Sequence, residues 1–318
     1  MMAHNAKYIA SSGGGYGRLL IEVAVNNGAT HVDTKYPRVK SDSFAPQHIA
    51  LCFCVRNCEP HLKGVFRNID KLRERLNKTK ITCIFVYDNC TDNSGELLLS
   101  YKQNNQNVIV EHIENTHSYR TCRIAKARNK CLDILYNLQD VTYHLMIDSD
   151  DKGSNEWNMD VIIKYLQDYD GEWDCMSFSR KNYYDKWALL FDDFKHQCWG
   201  FANQKDCFRV ISVMGTEIVK KLKNSQSDSI QVMSAFNGFA IYKTKRFVGF
   251  NYDGLNKNFL KFFSDEDRYI LENVLSTKYG IYTKCLTDAS KQCCEHLHYH
   301  LSAYKQGRKI KISKFNIC

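Results

Sequence analysis

The chain has 318 residues, of which 44% are hydrophobic, so it is long enough for one large α/β domain or two smaller ones with a sizeable core. It carries 44 Lys and Arg against 35 Asp and Glu, a formal net charge of +9, and such an excess is typical of proteins that bind nucleic acid, anionic membranes or phosphorylated substrates. No zinc-finger, helix-turn-helix or RNA-recognition signature accompanies the charge, which argues against a nucleic-acid partner.

Nothing in the sequence resembles a targeting signal. The first residues lack a basic stretch followed by an apolar core, and no apolar run approaches the ~20 residues that span a bilayer, so we expect neither a signal peptide nor a transmembrane segment. Several of the fourteen cysteines fall within predicted strands, where a free thiol behaves as a small buried hydrophobe. We therefore expect a reducing, cytoplasmic location.

Residues 1–47 differ from the rest and are predicted to be an N-terminal extension. They hold a glycine-rich stretch at 11–17 and two of the three prolines, Pro37 and Pro46. No Gly-Lys-Ser/Thr follows the glycines, so we interpret them as a flexible turn rather than a phosphate-binding loop.

From residue 48 onward, apolar runs alternate with amphipathic stretches. The run at 49–55 predicts a strand that is buried on both faces, and Pro60 opens a helix whose apolar residues recur every three or four positions. Further strands are predicted at 81–87, 108–110, 143–148 and 173–178, with helices near 97–99 and 120–138.

This alternation predicts an α/β fold with a Rossmann-like, mainly parallel sheet and helices on both faces. Ligands of such sheets collect at the carboxyl ends of the strands, so we expect Arg56, Asn57, Asp88 and the 148–151 segment on one rim. Beyond residue 181 the pattern is mixed and rich in aromatic residues, and it does not order the strands.

The strand at 143–148 ends in the most informative stretch of the chain, where three carboxylates follow within four positions. The spacing of Asp148 and Asp150 lets both side chains point the same way, and hard oxygen ligands suit Mg²⁺ or Mn²⁺. A solvated acidic turn, with Asp151 as a helix cap, gives the same short pattern. The spacing alone leaves both interpretations open.

Arg128 lies at the edge of the buried face of the predicted helix at 120–138. Its guanidinium either covers apolar surface with its stem or reaches the rim. At the rim it would pair with an aspartate or with phosphate oxygens.

Four motifs follow one another in an order known from one family. They are Val55-Arg56-Asn57, the 86–94 segment around Asp88, Ala127-Arg128-Asn129 and the 147–151 segment. In this order the chain resembles the nucleotide-sugar-dependent glycosyltransferases of the GT-A fold, of the family 2 type. Segments at 173–174, 183–189, 234–242 and 294–296 are similar to a branch that contains fungal capsule-type mannosyltransferases and uncharacterised viral glycosyltransferases, whereas residues 1–47 have no counterpart.

The resemblance implies a metal-dependent hexosyltransferase with Mn²⁺ or Mg²⁺ as cofactor. Such an enzyme moves a hexose from a nucleoside diphosphate sugar donor to a glycan or glycoside acceptor. Residues 48–180 would form the nucleotide-sugar-binding half, and residues 181–318 the acceptor-binding and metal-completing half of the same catalytic domain. If the protein is viral, its location would be the host cytoplasm or the virion. The oligomeric state and the identities of donor and acceptor are not implied.

The resemblance also implies roles at the donor site. Arg56, Asn57 and Asp88 would hold the nucleoside. Asp148 would approach the ribose or a metal-bound water, and Arg128 would contact the diphosphate or brace Asp148.

The metal would bind Asp150 directly, with Asp148 nearby, and a late histidine would complete its ligands. The 293–300 segment offers three histidines, which share one face if the segment is a strand. His296 is the preferred ligand and His298 the second choice. There are two alternatives. One is a zinc site that includes the two adjacent cysteines, and the other is a surface strand that binds no metal.

An inverting transferase also needs a general base that deprotonates the acceptor hydroxyl. The acidic segment 264–269 resembles the motif that supplies this base, with Asp267 as first choice and Glu266 beside it. Ser264 followed by acids is equally typical of a capped helix start. A retaining enzyme would need no base in this role.

Aromatic residues at 173–199 suit an acceptor cleft, because aromatic faces stack on sugar rings. We expect Tyr184 and Asp185 to line this cleft beside Asn237 and Gly238. Ordinary core packing is the alternative for most of the aromatic residues.

Two other functions fit part of the pattern. A sugar-phosphate nucleotidyltransferase also has metal carboxylates at strand ends, but it predicts a glycine-rich, lysine-containing loop after the first strand, and residues 56–60 do not form one. A non-catalytic glycan-binding relative would tolerate loss of the carboxylates, and all three are present.

Overall fold

The computed structural model describes residues 8–11, 30–33, 46–169, 171–191, 198, 207–267 and 291–318. The chain divides into two compact units, residues 1–44 and 45–318. In the first unit, strands β1 (Tyr8–Ser11) and β2 (Thr30–Asp33) pair in parallel. Most of the glycine-rich stretch and Pro37 lie outside the described residues.

The second unit is built around an eight-stranded sheet. Its strands are β3 (His48–Val55), β4 (Lys80–Asp88), β5 (Val108–Ile113), β6 (Tyr143–Asp148), β7 (Cys175–Ser179), β8 (Ser229–Val232), β9 (Phe239–Lys243) and β10 (Ile310–Asn316). Their spatial order is β5-β4-β3-β6-β9-β7-β10-β8. Only β8 and β9 run against the other six, so the predicted α/β fold with a mainly parallel sheet is confirmed.

Helices pack on this sheet and connect its strands. They are α1 (Glu59–Arg75), α2 (Ser94–Asn104), α3 (Arg120–Tyr136), α4 (Asp151–Ser154), α5 (Met159–Gln167), α6 (Cys207–Asn224), α7 (Thr244–Phe247), α8 (Asn256–Phe259), a 3₁₀ turn (Leu260–Phe262) and α9 (Glu295–Tyr304). Within the described residues, no helix has the length and apolar character needed to cross a bilayer.

Two apolar layers enclose the sheet, because successive side chains of a strand point to opposite faces. In β3, Leu51 and Phe53 belong to the layer that contains the apolar residues of α1 and α5. Ala50 and Cys52 belong to the layer that contains the apolar residues of α3 and α9. Both faces of the central strands are thus covered, which explains their continuous apolar sequences.

The three histidines of the 293–300 segment would share a face in a strand, but from Glu295 onward this segment forms the start of α9. Glu295 lies in the first turn of the helix, and Leu297 and Leu301, four residues apart, are both fully buried. A spacing of four residues places side chains on one helical face. His296 and His300 therefore share a face, and His298 does not lie on it.

Strand β9 enters the sheet between β6 and β7 and is antiparallel to both. Its amino end consequently lies beside the carboxyl end of β6, where the backbone N–H of Asp148 donates a 3.0 Å hydrogen bond to the carbonyl of Gly238. This pairing brings the Asn237-Gly238 turn to the acidic end of β6.

Candidate active site

A cavity of about 640 Å³ opens at the carboxyl ends of β3, β4 and β6. Its volume is in the range of small-molecule sites. Eight of the residues predicted for the site line it: Arg56, Asp88, Arg128, Asp148, Asp150, Tyr184, Asp185 and His296. Residues that lie up to 240 positions apart in the chain thus meet at this end of the sheet.

Asp88, the last residue of β4, supplies one wall of the cavity. Its Oδ2 accepts a 2.8 Å hydrogen bond from Asn115, whereas its buried Oδ1 has no hydrogen-bond partner in the described part of the chain. The Nε of Arg56 lies 3.7 Å from that oxygen. A buried acceptor without a donor is costly, so Oδ1 is available to a donor group of a ligand.

Asn57 does not line the cavity. It adopts a left-handed backbone conformation (φ 52°), and its side-chain oxygen accepts a 2.8 Å hydrogen bond from the N–H of Thr91. Asn57 thus ties the loop after β3 to the loop after β4. Its contact with a nucleoside stays a prediction.

Arg128 is buried between two carboxylates. Its Nη2 lies 3.1 Å from Oδ1 of Asp148, and its Nε lies 3.1 Å from Oε1 of Glu295. The guanidinium carbon also lies 4.6 Å from the centre of the Phe236 ring. Burial acts to lower the pKa of Arg128, but Glu295 and Asp148 outweigh it and raise that pKa well above its ordinary value. Arg128 therefore stays charged and braces Asp148.

Tyr184 holds Asp148 from the other side, since its hydroxyl donates a 2.9 Å hydrogen bond to Oδ2. The backbone N–H groups of Tyr184 and Asp185 donate to Oδ1 of Asn237 at 3.1 and 3.2 Å. A Cβ at position 238 would collide with the Tyr184 hydroxyl, so only glycine leaves room for it. Asn237 and Gly238 therefore position this pair and do not themselves line the cavity.

Three carboxylates crowd the acidic side of the cavity. Partial desolvation, followed by the charge of Asp148, raises the pKa of Asp150. Burial, followed by Asp148 and Glu295, raises the pKa of Asp185 to about 7. The negative charges of neighbouring carboxylates repel one another, and a bound cation would relieve the repulsion.

Asp150 is also the N-cap of α4, where its Oδ1 accepts a 2.9 Å hydrogen bond from the N–H of Lys152. The cap expected of Asp151 is therefore formed by Asp150. The cap uses one oxygen of Asp150 and leaves the other for a cation.

The donor set fits Mg²⁺ or Mn²⁺ bound together with a diphosphate. In the described part of the chain, no three His, Cys, Asp or Glu side chains are grouped closely enough to hold a metal by themselves. Mg²⁺ is commonly held by one or two carboxylates with waters and substrate phosphates as the remaining ligands. Asp150 and Asp148 match that arrangement.

His296 forms part of the cavity wall and is 1% exposed. Its ring stacks on Phe236 at 3.8 Å, and neither ring nitrogen has a hydrogen-bond partner within the described residues. Burial, followed by Arg128 and His300, lowers the pKa of His296, so the ring is neutral and keeps a lone pair for a ligand. His298 instead lies with Nδ1 3.1 Å from the carbonyl of Asn251 and does not line the cavity.

Asp267 and Glu266 are not among the residues that line the cavity. The N–H of Ser264 donates to Asp267 at 3.0 Å, and the N–H of Asp267 donates to the Ser264 hydroxyl at 3.1 Å. This reciprocal pair is a capping box, the capped helix start that the sequence left open. The last residues of the acidic segment, 268 and 269, and Trp199 of the aromatic segment lie outside the described residues.

Several residues that line the cavity were not predicted from the sequence: Glu295, Arg120, Arg123 and Phe236. Glu295 precedes the preferred histidine, and its partner Arg128 became evident only from the packing of α9 on α3. The spacing of three between the two arginines at the start of α3 was the available signal, because it places both on one face.

Comparison with known proteins gives matches at the level of structure. No protein-family model matches the chain, and no curated protein is significantly similar to it in sequence. Residues 1–349 of S. aureus TarS match with 15% identity, 69% of this chain and 52% of that chain covered, and a TM-score of 0.39. The chain thus spans about half the length of that fragment.

Two further matches are solved structures that contain a nucleotide or nucleotide sugar together with Mn²⁺. The mannosyltransferase PcManGT from Pyrobaculum calidifontis, in complex with GDP-Man and Mn²⁺, has 11% identity, 85% and 57% coverage and a TM-score of 0.43. GalNAc-T7, with UDP, GalNAc and Mn²⁺, has 9% identity, 86% and 43% coverage and a TM-score of 0.42.

Proposed function

We propose that the chain is a metal-dependent glycosyltransferase that transfers a hexose from a nucleoside diphosphate sugar to a glycan or glycoside acceptor. The observation that carries the proposal is the convergence of Asp148 and Asp150 with the buried, charged Arg128 in one cavity. The order of the four sequence motifs supports the same function.

The chemistry of the reaction needs this combination of charges. A leaving nucleoside diphosphate gains negative charge as the glycosidic bond breaks, and preorganised cations stabilise that charge most at the transition state. A divalent Mn²⁺ or Mg²⁺, held by Asp150 and directly or through water by Asp148, would supply Lewis-acid stabilisation, with His296 as the proposed third ligand.

The chain's own residues then have separate tasks. Arg56 and Asp88 hold the nucleoside, with Asn57 behind them. Arg128 fixes the orientation of Asp148. Arg120 and Arg123, which line the same cavity, are placed to attract the diphosphate.

The acceptor is proposed to bind along Tyr184 and Asp185, which Asn237 and Gly238 position. Asp267 stays the predicted base for an inverting reaction. Asp185 is a second candidate, supported by its place in the cavity lining beside Asp148.

We further propose that residues 48–180 and 181–318 are two halves of one catalytic domain in a cytoplasmic protein, and that residues 1–47 are an N-terminal extension. Strands from both halves share the eight-stranded sheet, which supports the first point. No nucleic-acid partner is proposed.

Release of nucleoside diphosphate tests the proposal. Purified protein is incubated with a panel of nucleoside diphosphate sugars and Mn²⁺, and free nucleoside diphosphate is measured. We expect slow hydrolysis of at least one donor and a Mn²⁺-dependent rise in melting temperature with that donor. No release from any donor, together with an unchanged melting temperature, contradicts the proposal. A nucleotidyltransferase would instead release pyrophosphate from a nucleoside triphosphate and a sugar phosphate.

A further inference from the structure

Tyr184 lines two concave surfaces. One is the cavity described above, and the other is a groove of about 810 Å³ that also contains Lys152, Glu156, Arg180 and Lys181. We call the second surface the basic groove. Any molecule that enters both surfaces must pass along Tyr184.

Cationic side chains dominate the basic groove. The lining holds three cations, Lys152, Arg180 and Lys181, and one acid, Glu156. Lys152 is ion-paired with Asp151, which does not line the groove, and the carboxylate of Glu156 lies 2.5 Å from Nζ of Lys71. The remaining polar side chains include four asparagines, which are neutral. The groove therefore presents an excess of positive charge.

Arg180 is 8% exposed, and its hydrogen bonds are incomplete. Its Nε donates to the carbonyl of Asn237 at 3.0 Å and its Nη1 contacts the sulfur of Cys318, but its buried Nη2 has no hydrogen-bond partner within the described residues. Neither Arg180 nor Lys181 forms an ion pair in that part of the chain. An unpaired guanidinium nitrogen is costly to bury, and its planar fork suits two oxygens of a phosphate or carboxylate.

The cations of the groove lie close to the residue that contacts the active site. Nζ of Lys152 is 5.3 Å and the guanidinium carbon of Arg180 5.9 Å from the centre of the Tyr184 ring. The hydroxyl of the same ring donates to Asp148. A substrate with one hydroxyl in the cavity would thus reach these cations with its next groups.

We propose that the basic groove is an oxyanion subsite, and that the acceptor of this enzyme carries a phosphate or carboxylate that binds Arg180 and Lys181. Lys152 adds charge at the same end. That the groove binds an acceptor rests on the proposed glycosyltransferase function. The presence of an oxyanion site does not depend on that activity.

Lysine labelling with inorganic phosphate tests the site directly. Full-length protein is acetylated briefly in phosphate or in chloride of equal ionic strength, and the modified lysines are quantified by mass spectrometry. Phosphate is expected to slow labelling of Lys181 at least threefold and to leave the exposed Lys78 unchanged, since Lys78 lines neither surface. In Arg180→Gln the protection of Lys181 should be lost. If Lys181 is labelled at the same rate in phosphate as in chloride, the proposal is overturned.

Because Arg180 is buried, its variant is used only if its melting temperature shows that it folds. Lys152→Gln, which changes a more exposed cation of the groove, is the second variant, and it should weaken the protection of Lys181 by phosphate. Full protection in a folded variant of either kind also overturns the assignment of that residue.

Transfer to matched acceptors tests the substrate class. A donor that is hydrolysed is offered with methyl hexosides, their 6-phosphates and the corresponding uronic acids, and the ratio of kcat/KM between anionic and neutral members is measured. The ratio should be at least 10, fall toward 1 in Lys181→Gln and persist in Lys78→Gln. No product with any anionic member, or an equal rate with neutral members, overturns the anionic acceptor.

The same samples separate this inference from the proposed function. Hydrolysis without an anionic preference overturns the acceptor class alone. Phosphate protection without hydrolysis of any donor contradicts the glycosyltransferase and leaves an oxyanion site on the protein. Protection by phosphate with no preference among acceptors assigns the groove to free phosphate and overturns its role in transfer.

Discussion

The hydroxyl of Tyr184 donates to Oδ2 of Asp148 across 2.9 Å. Because Arg128 holds the other oxygen of Asp148 at 3.1 Å, this carboxylate is fixed from two directions. Asp150 keeps one oxygen outside its helix cap, so the two acids of the motif differ in freedom. The fixed carboxylate of Asp148 suits the orientation of a bound donor. The freer carboxylate of Asp150 suits direct contact with the metal.

Replacing Asp150 with asparagine separates its charge from its helix cap, because asparagine caps a helix as well as aspartate does. We expect donor hydrolysis to fall at least about 100-fold, since charge stabilisation by a metal contributes several kcal/mol. Mn²⁺-dependent binding of nucleoside diphosphate, measured by calorimetry, should fall with it. Asp151→Asn is the matched control and should keep both. Normal hydrolysis by Asp150→Asn would show that the metal binds elsewhere.

Removal of the Tyr184 hydroxyl should weaken the orientation of Asp148. In Tyr184→Phe we expect kcat for transfer to fall about tenfold, the equivalent of one hydrogen bond to a charged group, with little change in donor Kd. The neighbouring Tyr183→Phe is the control. Its buried hydroxyl has no hydrogen-bond partner in the described part of the chain, so its loss should leave kcat unchanged and raise the melting temperature slightly. Equal effects of the two variants on kcat would contradict the role of Tyr184.

Loss of Glu295 should destabilise the fold because it removes one of the two carboxylates that pair with the buried Arg128. The pair lies 3.1 Å apart with each side chain 6% exposed, and removal of one partner of a buried pair is strongly destabilising. We expect Glu295→Ala to lose about 2 to 3 kcal/mol in urea unfolding, less than the full penalty because Asp148 still faces the guanidinium. Asp160→Asn, which breaks the exposed 2.6 Å pair with Arg75, should cause no measurable change. An unfolding midpoint of Glu295→Ala equal to that of the control would rule out this account.

Acid should destabilise the protein in part through His144. Burial lowers the pKa of His144 to about 3 from an ordinary value of 6.5. Between these two pH values His144 is neutral in the folded state and protonated in the unfolded state. The free energy of unfolding therefore falls as the pH drops from 6.5 toward 3. Between pH 6.5 and 5 this histidine contributes a loss of about 2 kcal/mol.

His144→Phe keeps a ring against Tyr242, on which His144 stacks at 4.7 Å, and removes the titrating group. Unfolding free energies measured at several pH values should show a shallower fall in the variant than in the unaltered protein. Parallel curves for the two proteins would mean that His144 is protonated equally in both states.

Two variants distinguish the candidate bases. If Asp185 is the base, Asp185→Asn should slow transfer by about 100-fold or more and leave donor binding nearly unchanged, as expected for loss of a general base. Asp267→Asn should have little effect if Asp267 only closes the capping box with Ser264. The reverse pattern would assign the base to Asp267, and normal transfer by both variants would favour a retaining reaction.

The first half of the fold could be predicted from the sequence because its signals are local. Strands β3, β4 and β6 are continuous apolar runs, and the rule that ligands meet strand ends was sufficient to group Arg56, Asp88 and Asp148, whereas it left the position of Arg128 open. The insertion of β9 could not be predicted in this way, since it depends on pairing between residues 92 to 100 positions apart.

The errors have local causes. The alternating histidines of 296–300 suggested a strand, whereas the spacing of Leu297 and Leu301 and an acid in the first turn indicated the helix that is present. Asn237 was expected at the cavity surface, but its positive φ of 58° turns the chain so that its side chain faces the backbone of Tyr184.

The position of β9 has a consequence for the newly synthesised chain. When synthesis has reached Ser179, β6 and β7 exist, yet the strand that joins them begins 60 residues later at Phe239. Until then the facing edges of both strands lack backbone partners, and such distant pairings form slowly. The N–H of Asp148 gains its partner, the carbonyl of Gly238, only at that step. The acidic side of the cavity therefore acquires the Asn237-Gly238 turn only when this five-residue segment closes the middle of the sheet, and Glu295 and His296 of α9 are synthesised later still.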